Sequence, residues 1–451
     1  MKAAAVRDLN SGSDVDIAAC LRDAMERRDG RIVRAEGQIY RFDRTHWTPY
    51  QHDFLRREVH RFDGMTLATT RVVKIGKPRV DSILHELGAM VAEPEFFKSA
   101  RAGVNCANGF TVFDPDGRPA QLPHDPEHRA RHVLSAAWDK NLNWRTAPSL
   151  NKLLVGCFRD DDDRDQRVDL IGELFGASVL GCATMLRQPL AFVLHGATAN
   201  NGKSQIIECA RGLLPPSAIT SISPSRFHDP QMMVCLVGVN LNTAGELGSA
   251  TSIASDDFKS AVTGDAATGK HVYERPFEFR PTALHLFATN NLPRFNGGLD
   301  RGVRRRLMVI PFTRSIPADE MVPNLARLIV SEEDAGLLAF AIEGAGRLIR
   351  RGEFTEPPSC RQALVEWTLS SDPVMGWYAE RAEFNPGSRW VTPNCYSDFK
   401  CWARQEGFDE KILPAVNNFV RKLLENDARL GRVKSNNLRF IVGLRLRAAD
   451  A

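Results

Sequence analysis

The 451 residues include 59 Lys and Arg against 55 Asp and Glu, with 43% hydrophobic and 25% charged residues. That length carries roughly three domains with a sizeable core, and a net charge of +4 does not by itself argue for a nucleic-acid partner. Nine cysteines without a Cys-x-x-Cys spacing argue against a zinc cluster or a disulfide framework and suit a reducing compartment; without a signal-like or membrane-length apolar run, the expectation is a soluble cytoplasmic protein without a membrane partner.

Residues 1–35 read as an N-terminal helical or flexible segment, with an amphipathic helix over 14–28. Residues 36–145 mix short strands and turns and form an expected α+β accessory module; the stretch 108–117 has turn signals on both sides of a strand. His124, Glu127 and His128 lack the His-Glu-x-x-His spacing, and Pro126 opposes a regular helix, so the segment reads as a loop rather than a metal site. Residues 146–188 read as a helical connector, and the acid run Asp160-Asp-Asp-Asp163 as a solvated part of it.

Phe192-Val-Leu-His-Gly-Ala-Thr-Ala-Asn-Asn-Gly-Lys-Ser204 is the most informative stretch. An apolar strand over 190–194 runs into a glycine-bounded loop ending Gly-Lys-Ser, and a helix over 205–214 follows. Backbone N–H groups of such a loop and the positive end of the next helix bind phosphate oxygens. The loop residues Gly196, Ala197, Thr198, Ala199, Asn200, Asn201, Gly202, Lys203 and Ser204 are therefore the nucleotide-binding candidates. Lys203 would reach the β- and γ-phosphates, and the Ser204 hydroxyl would hold Mg²⁺. Five residues separate the two glycines where the motif has four, so either the loop bulges or Ala197 replaces the first glycine.

Phosphoryl transfer also needs a carboxylate near Mg²⁺, a polar group facing the γ-phosphate and a charge-neutralising arginine. An apolar run from Met232 ends in Glu246, a candidate for the metal and for the attacking water. The strand Thr282-Ala-Leu-His-Leu-Phe-Ala-Thr-Asn290 ends in an amide, stopped by Pro293, and Asn290 can orient that water. Arg305 and Arg306 open a third apolar strand and are candidates to act across a subunit interface. Between the acid and the asparagine, 255–262 reads as a helix capped by Ser255, with Asp256 and Asp257 in its first turn. A hairpin over 265–279 follows, with Lys270 and His271 at its tip and Arg275 nearby.

Taken in order, these residues resemble superfamily 3 helicases, found in phage and plasmid replication proteins and in the helicase half of phage-type primases. The resemblance rests on Asn201-Gly-Lys-Ser204, Glu246, Thr263-Gly-Asp265, Ala288-Thr-Asn290 and Arg305-Arg306 through Ile310-Pro-Phe312, and spans about 120 residues. One acid stands at Glu246 where many relatives have two adjacent ones. The part of the chain before the loop, including 122–128, is similar to the module preceding the helicase domain of those proteins; a primase catalytic domain is not recognisable.

The resemblance implies an α/β fold: a P-loop, AAA+-like nucleotide domain with a central parallel sheet over 189–316. It also implies ATP and Mg²⁺ as cofactors, a homo-oligomeric ring, hexameric in the family, and a separate primase or polymerase partner. In the resembled family the hairpin projects into the central channel, so Lys270 would contact a DNA phosphate.

After the nucleotide domain, 317–352 read as lid helices and 353–386 as a linker and helix. The segment 387–451 holds twelve Lys and Arg against seven Asp and Glu, and two helical patterns followed by a hairpin about Asn436-Asn437 suggest a winged-helix-like domain. Arg421, Lys422 and Lys434 are its DNA-binding candidates, with Asn417 and Asn418 on the helix that could enter a groove. The leading expectation is an ATP-dependent DNA helicase acting on single-stranded and forked DNA. The alternatives are a replication initiator or DNA-binding ATPase switch, and an NTPase scaffold in a defence system.

Overall fold

The computed structural model describes residues 9, 11–67, 69–181, 183–247, 252–270, 276–296, 298–408 and 413–447, with only the backbone of Glu246. Its centre is a mixed α/β body built on one parallel sheet, and the N-terminal and C-terminal parts carry cores of their own.

The N-terminal part contains α1 (Asp14–Asp29), β1 (Ile32–Ala35), β2 (Gln38–Phe42), β3 (Trp47–Pro49), α2 (His52–His60), α3 (Lys77–Met90), β4 (Val104–Cys106), β5 (Gly109–Phe113) and β6 (Pro119–Leu122). Ser13 caps α1 by accepting the Asp16 N–H, which satisfies one of the orphan donors of the first turn. Ile17, Leu21 and Met25 of α1 share a core with Leu55 and Val59 of α2 and with Val80, Ile83 and Leu87 of α3. The boundary read at residue 35 therefore does not hold. α1 and β1 belong to the same module, because β1 pairs antiparallel with β2 across that boundary.

Next come α4 (Pro148–Phe158) and α5 (Arg164–Leu180), then the nucleotide-domain candidate: β7 (Ala191–His195), α6 (Lys203–Gly212), β8 (Ile219–Thr220), α7 (Pro230–Met233), β9 (Leu241–Glu246), β10 (Ser252–Ile253), α8 (Ser255–Thr263), β11 (Ala267–Gly269), β12 (Phe277–Phe279), β13 (Leu284–Thr289), β14 (Arg294–Phe295), α9 (Arg301–Arg304) and β15 (Leu307–Pro311). Five strands form a parallel sheet in the order β15-β7-β13-β9-β8. Both faces are buried, which is why its strands read as continuous apolar runs rather than alternating ones. Phe192 and Leu194 face a core shared with α4, α5, α6 and later helices; Ala191 and Val193 face a second core with Phe258 and Val262 of α8. Ser255 opens α8 rather than capping it. Ala254 holds the cap position, and the Ser255 hydroxyl donates to the Asn296 carbonyl at 2.7 Å.

The chain closes with α10 (Leu325–Glu332), α11 (Asp334–Arg351), α12 (Pro358–Ser371), α13 (Pro373–Arg381), β16 (Ala382–Val391), α14 (Thr392–Gln405), α15 (Val416–Asn426), β17 (Gly431–Ser435) and β18 (Leu438–Leu446). Two segments read as connectors are structural layers instead. α5 is buried over most of its length and lies against α11 in the first core, and α12 sends Ala363 and Trp367 into the second. The C-terminal unit begins earlier than residue 387: Trp377 of α13 packs with Phe399 and Phe419, and β16 pairs with β18 from Ala382. Asn436 and Asn437, both at positive φ, make the two-residue turn between β17 and β18.

The acid run is not simply solvated. Asp161 and Asp163 flank the guanidinium of Arg167 at 3.0 and 2.9 Å, and the Arg167 side chain is only 3% exposed. Arg167 also donates to the Pro311 carbonyl and the Ser359 hydroxyl, so this knot ties the start of α5 to the end of β15 and the start of α12. Burial opposes the Asp163 charge, but hydrogen bonds from Ser359 and the Arg167 charge more than offset it and hold the carboxyl below its ordinary range. Arg167→Ala is expected to cost about 3 kcal/mol, since it leaves acids uncompensated. Asp163 contributes stability at neutral pH that is lost as pH falls below the ordinary carboxylate value through the lowered folded one. Urea unfolding of parent and variant at pH 7 and pH 3 checks both: the gap between them should shrink in acid.

Candidate functional site

The register of the parallel sheet decides what meets at its carboxyl edge. Thr289 of β13 lies opposite His195 of β7, and Ala288 lies opposite Glu246 of β9. Gly196, Glu246 and Asn290 therefore leave three neighbouring strands at one level. The connection leaving β7 runs to the β8 edge, whereas the one leaving β13 crosses to β15 on the other side of β7. Ligands of open parallel sheets bind in the crevice that such a reversal opens.

The loop between β7 and α6 is built to fold back on its own lysine. A Cβ on Gly196 would stand 2.5 Å from Asn201 Nδ2, 2.6 Å from the Phe312 carbonyl and 3.1 Å from Lys203 Nζ, so no side chain fits there. Gly196 thus occupies the tight first position, and the extra residue is absorbed in the exposed stretch 197–200. Asn200 at φ +57° and Gly202 at φ +90° supply the left-handed turns that bring the chain round. Beneath Gly202, a Cβ would meet Cys157 Sγ of α4 at 2.3 Å.

Lys203 is 7% exposed, and its ammonium donates to the Gly196 carbonyl at 2.8 Å and to Asn201 Oδ1 at 3.1 Å. Asn201 Nδ2 in turn donates to the Thr198 carbonyl at 2.7 Å. The cap residue Gly202 has no side chain to satisfy the first N–H groups of α6, so these donors are left to face the loop. With the helix dipole and a buried ammonium, they suit an anion of several oxygens. The exposed Ser204 hydroxyl and the end of β9 at Glu246 are the groups that could hold a divalent cation.

His195 was passed over in the sequence although it stands directly before Gly196. It is half-buried; burial and the neighbouring Lys203 charge lower its pKa, against a backbone hydrogen bond with Asn290, so it is a neutral imidazole at pH 7. Its position at the end of β7 was visible, but not its contact with the end of β13.

The arginines do not join this site within one chain. Arg305 and Arg306 precede β15, and the Arg306 carbonyl accepts from Ala191 N–H at the amino end of β7. The strand length, roughly 15 Å, separates them from Lys203. Arg305 is exposed, whereas Arg306 donates to the Gly302 carbonyl at 2.8 Å and burial lowers its pKa.

The DNA-contact candidates divide likewise. Lys270 is exposed where β11 ends, and β11 pairs antiparallel with β12 so that 270–276 connect them; His271 and Arg275 lie outside the described residues. Arg421 is exposed, 3.6 Å from Glu425. Lys422 is not available to a groove: its ammonium is bound to Asp372 Oδ2 at 2.7 Å and is half-buried, because α15 leans on the start of α13. Lys434 is exposed on β17 directly opposite Arg439 of β18, and Arg432 lies two residues before it, on the same face. The alternation Arg-Val-Lys was the available clue to that face.

A family model described as a family of unknown function, DUF5906, matches residues 194–306. The match begins on β7 and ends at Arg306. No curated protein matches the chain. Among solved structures, it is similar to an A form apo structure of the NrS-1 C-terminal region, at 11% identity and a TM-score of 0.48 over 97% of this chain and 99% of that one. Two further structures of that region give 10% and 9% identity with TM-scores of 0.45; each covers 94% of this chain, and 98% and 99% of the respective structure. Among the described residues, no helix is long and apolar enough to cross a membrane.

Proposed function

We propose that this chain is an ATP-hydrolysing DNA translocase of the helicase type, with a P-loop domain over 189–316. The observation that carries the reading is the Lys203 ammonium held under a glycine loop, at the N-terminus of α6 and at the switch point of a parallel sheet. Lys203 and the first N–H groups of α6 bind the triphosphate. Ser204 and Glu246 hold Mg²⁺, which when bound spreads the charge of the phosphate oxygens. Asn290 orients the attacking water from the end of β13. Arg305, on the opposite edge of the sheet, serves the site of a neighbouring subunit, which supports a ring and fits its distance from its own Lys203. The 270–276 connection grips single-stranded DNA, and the C-terminal unit is a winged-helix-like domain that binds duplex DNA through Arg421 and the Arg432, Lys434, Arg439 face.

Unwinding of a forked duplex by the purified chain with ATP and Mg²⁺ is the test. Hydrolysis without strand displacement moves the reading to an initiator or switch. One observation favours that second reading: Arg304 donates to Asn426 Oδ1 at 2.6 Å, so the C-terminal unit touches the arginine segment directly. Lys270→Ala is expected to leave basal ATPase within about twofold while removing most stimulation by single-stranded DNA, since each base-stacking or phosphate contact contributes on the order of 1 kcal/mol and the contacts repeat around a ring. Stimulation that survives the substitution makes the hairpin a structural turn.

A further inference from the structure

Arg304 ends α9 and Asn426 ends α15, and the Arg304 guanidinium donates to Asn426 Oδ1 at 2.6 Å. Asn426 Nδ2 donates to the Lys422 carbonyl one turn back at 2.8 Å, which leaves the carboxamide oxygen to the arginine. Both side chains are half-buried, so this charge-assisted bond is only partly screened by water. The other end of α9 is fixed within the nucleotide domain: Asp300 accepts the Val303 N–H at 2.7 Å and pairs with Lys259 of α8 at 3.3 Å. Arg305 follows at once; its carbonyl accepts from Gln188 at 3.1 Å while its side chain is exposed. Arg301, Arg304 and Arg305 line a cavity of about 590 Å³ together with Leu364 and Leu369 of α12 and Met375 of α13. Detached from Asn426, the Arg304 guanidinium would turn into this space and crowd the like charge of Arg305.

We infer that Asn426 is a positioning residue for Arg305: by holding the Arg304 guanidinium aside it keeps Arg305 free for its target, and duplex DNA on the C-terminal unit alters ATP turnover through this bond. The inference rests on the reading above that Arg305 serves a neighbouring subunit's nucleotide, and it adds what governs that arginine. α15 is arranged as a lever. Its middle is pinned, because Lys422 pairs at 2.7 Å with Asp372, whose side chain is 7% exposed, and a Cβ on Gly298 would lie 3.4 Å from the Lys422 ammonium. Asn417, Asn418 and Arg421, all exposed, precede the pin, and Asn426 lies beyond it by roughly 6 Å along the axis. A duplex drawn against the first arm loads a rigid helix whose second arm carries the acceptor for Arg304.

ATP turnover by the full chain, measured against ATP concentration with and without a blunt DNA duplex, separates the parts. The duplex should change kcat of the parent at least about fivefold. Asn426→Ala should lower kcat about tenfold at unchanged KM and make turnover indifferent to the duplex, while duplex affinity stays within about twofold. Adding Arg304→Ala removes the crowding charge and should recover most of the lost kcat, still without a duplex response. Asn426→Asp, which keeps an oxygen toward Arg304, should turn over within about threefold of the parent and respond to the duplex, and it carries the test if the alanine variant fails to fold. Parental kcat in Asn426→Ala, a change in KM alone, or a double variant as slow as the single one overturns the positioning role, provided that Arg305→Ala is itself slow. A parent indifferent to the duplex overturns the DNA coupling. A chain that hydrolyses no ATP, or an Arg305→Ala variant at the parental rate, overturns instead the reading on which the inference stands.

Discussion

Lys203→Ala is expected to abolish measurable ATP binding and to lower turnover by at least on the order of a hundredfold, the loss typical of removing one charge-stabilising group from a dry site. The ammonium is nearly enclosed, so its charge acts on phosphate oxygens with little screening by water. The substitution also removes the donor that joins Gly196 to Asn201, so the loop loses the contact that holds its two ends together. Those two consequences are separable. Lys203→Met keeps much of the stem but no charge, and it should be as inactive as the alanine variant while unfolding at a temperature close to that of the parent. Nucleotide binding by fluorescence titration and phosphate release checks both. Turnover at the parental rate in either variant removes Lys203 from the chemistry and leaves the loop as a tight turn.

The strand, loop and helix around Lys203 were legible because each rests on local rules: an apolar run, glycines where no Cβ fits, and a helix opening directly after them. β13, β15 and the Asn436-Asn437 turn were legible for the same reason. What stayed hidden depends on partners far along the chain. α5 is apolar over its second half, Leu174 to Leu180, but nothing in its own residues says that α11, more than 150 positions later, covers it. Asp160 to Asp163 read as solvated because Arg167, Pro311 and Ser359 gather there only in the fold. Lys422 and Arg421 are adjacent in sequence and differently placed, since the roughly 100° between neighbouring residues of α15 turns one toward Asp372 and the other toward solvent. The distance between the arginines and Lys203 could have been anticipated: residues before a parallel strand lie at the end of the sheet opposite to residues after one.

Gly344→Ala is expected to cost about 4 kcal/mol or more, or to prevent folding, because the added methyl meets backbone and not a side chain that can turn aside. At Gly344 of α11 a Cβ would lie 1.9 Å from the Gly172 carbonyl oxygen of α5, and at Gly176 one would lie 2.3 Å from the Ala345 nitrogen. The two helices thus touch main chain to main chain. Two residues on, Gly346 meets Gly117 of the accessory module so closely that a Cβ there would stand 2.4 Å from the Gly117 carbonyl oxygen. α11 is therefore the seam between the accessory module and the parallel sheet, and α10, with Asn324 before it, is joined directly to its start. Displacing α11 should shift α10 as well as loosen the fold. Gly156→Ala in α4 is the contrast: its Cβ points into open space, so the substitution should stabilise by roughly 0.5–1 kcal/mol. Urea midpoints of the two variants decide the matter. A Gly344→Ala chain as stable as the parent means that α5 and α11 can separate by a methyl group at no cost, in which case the seam does not fix the position of α10, and the accessory module and the Lys203 loop move independently.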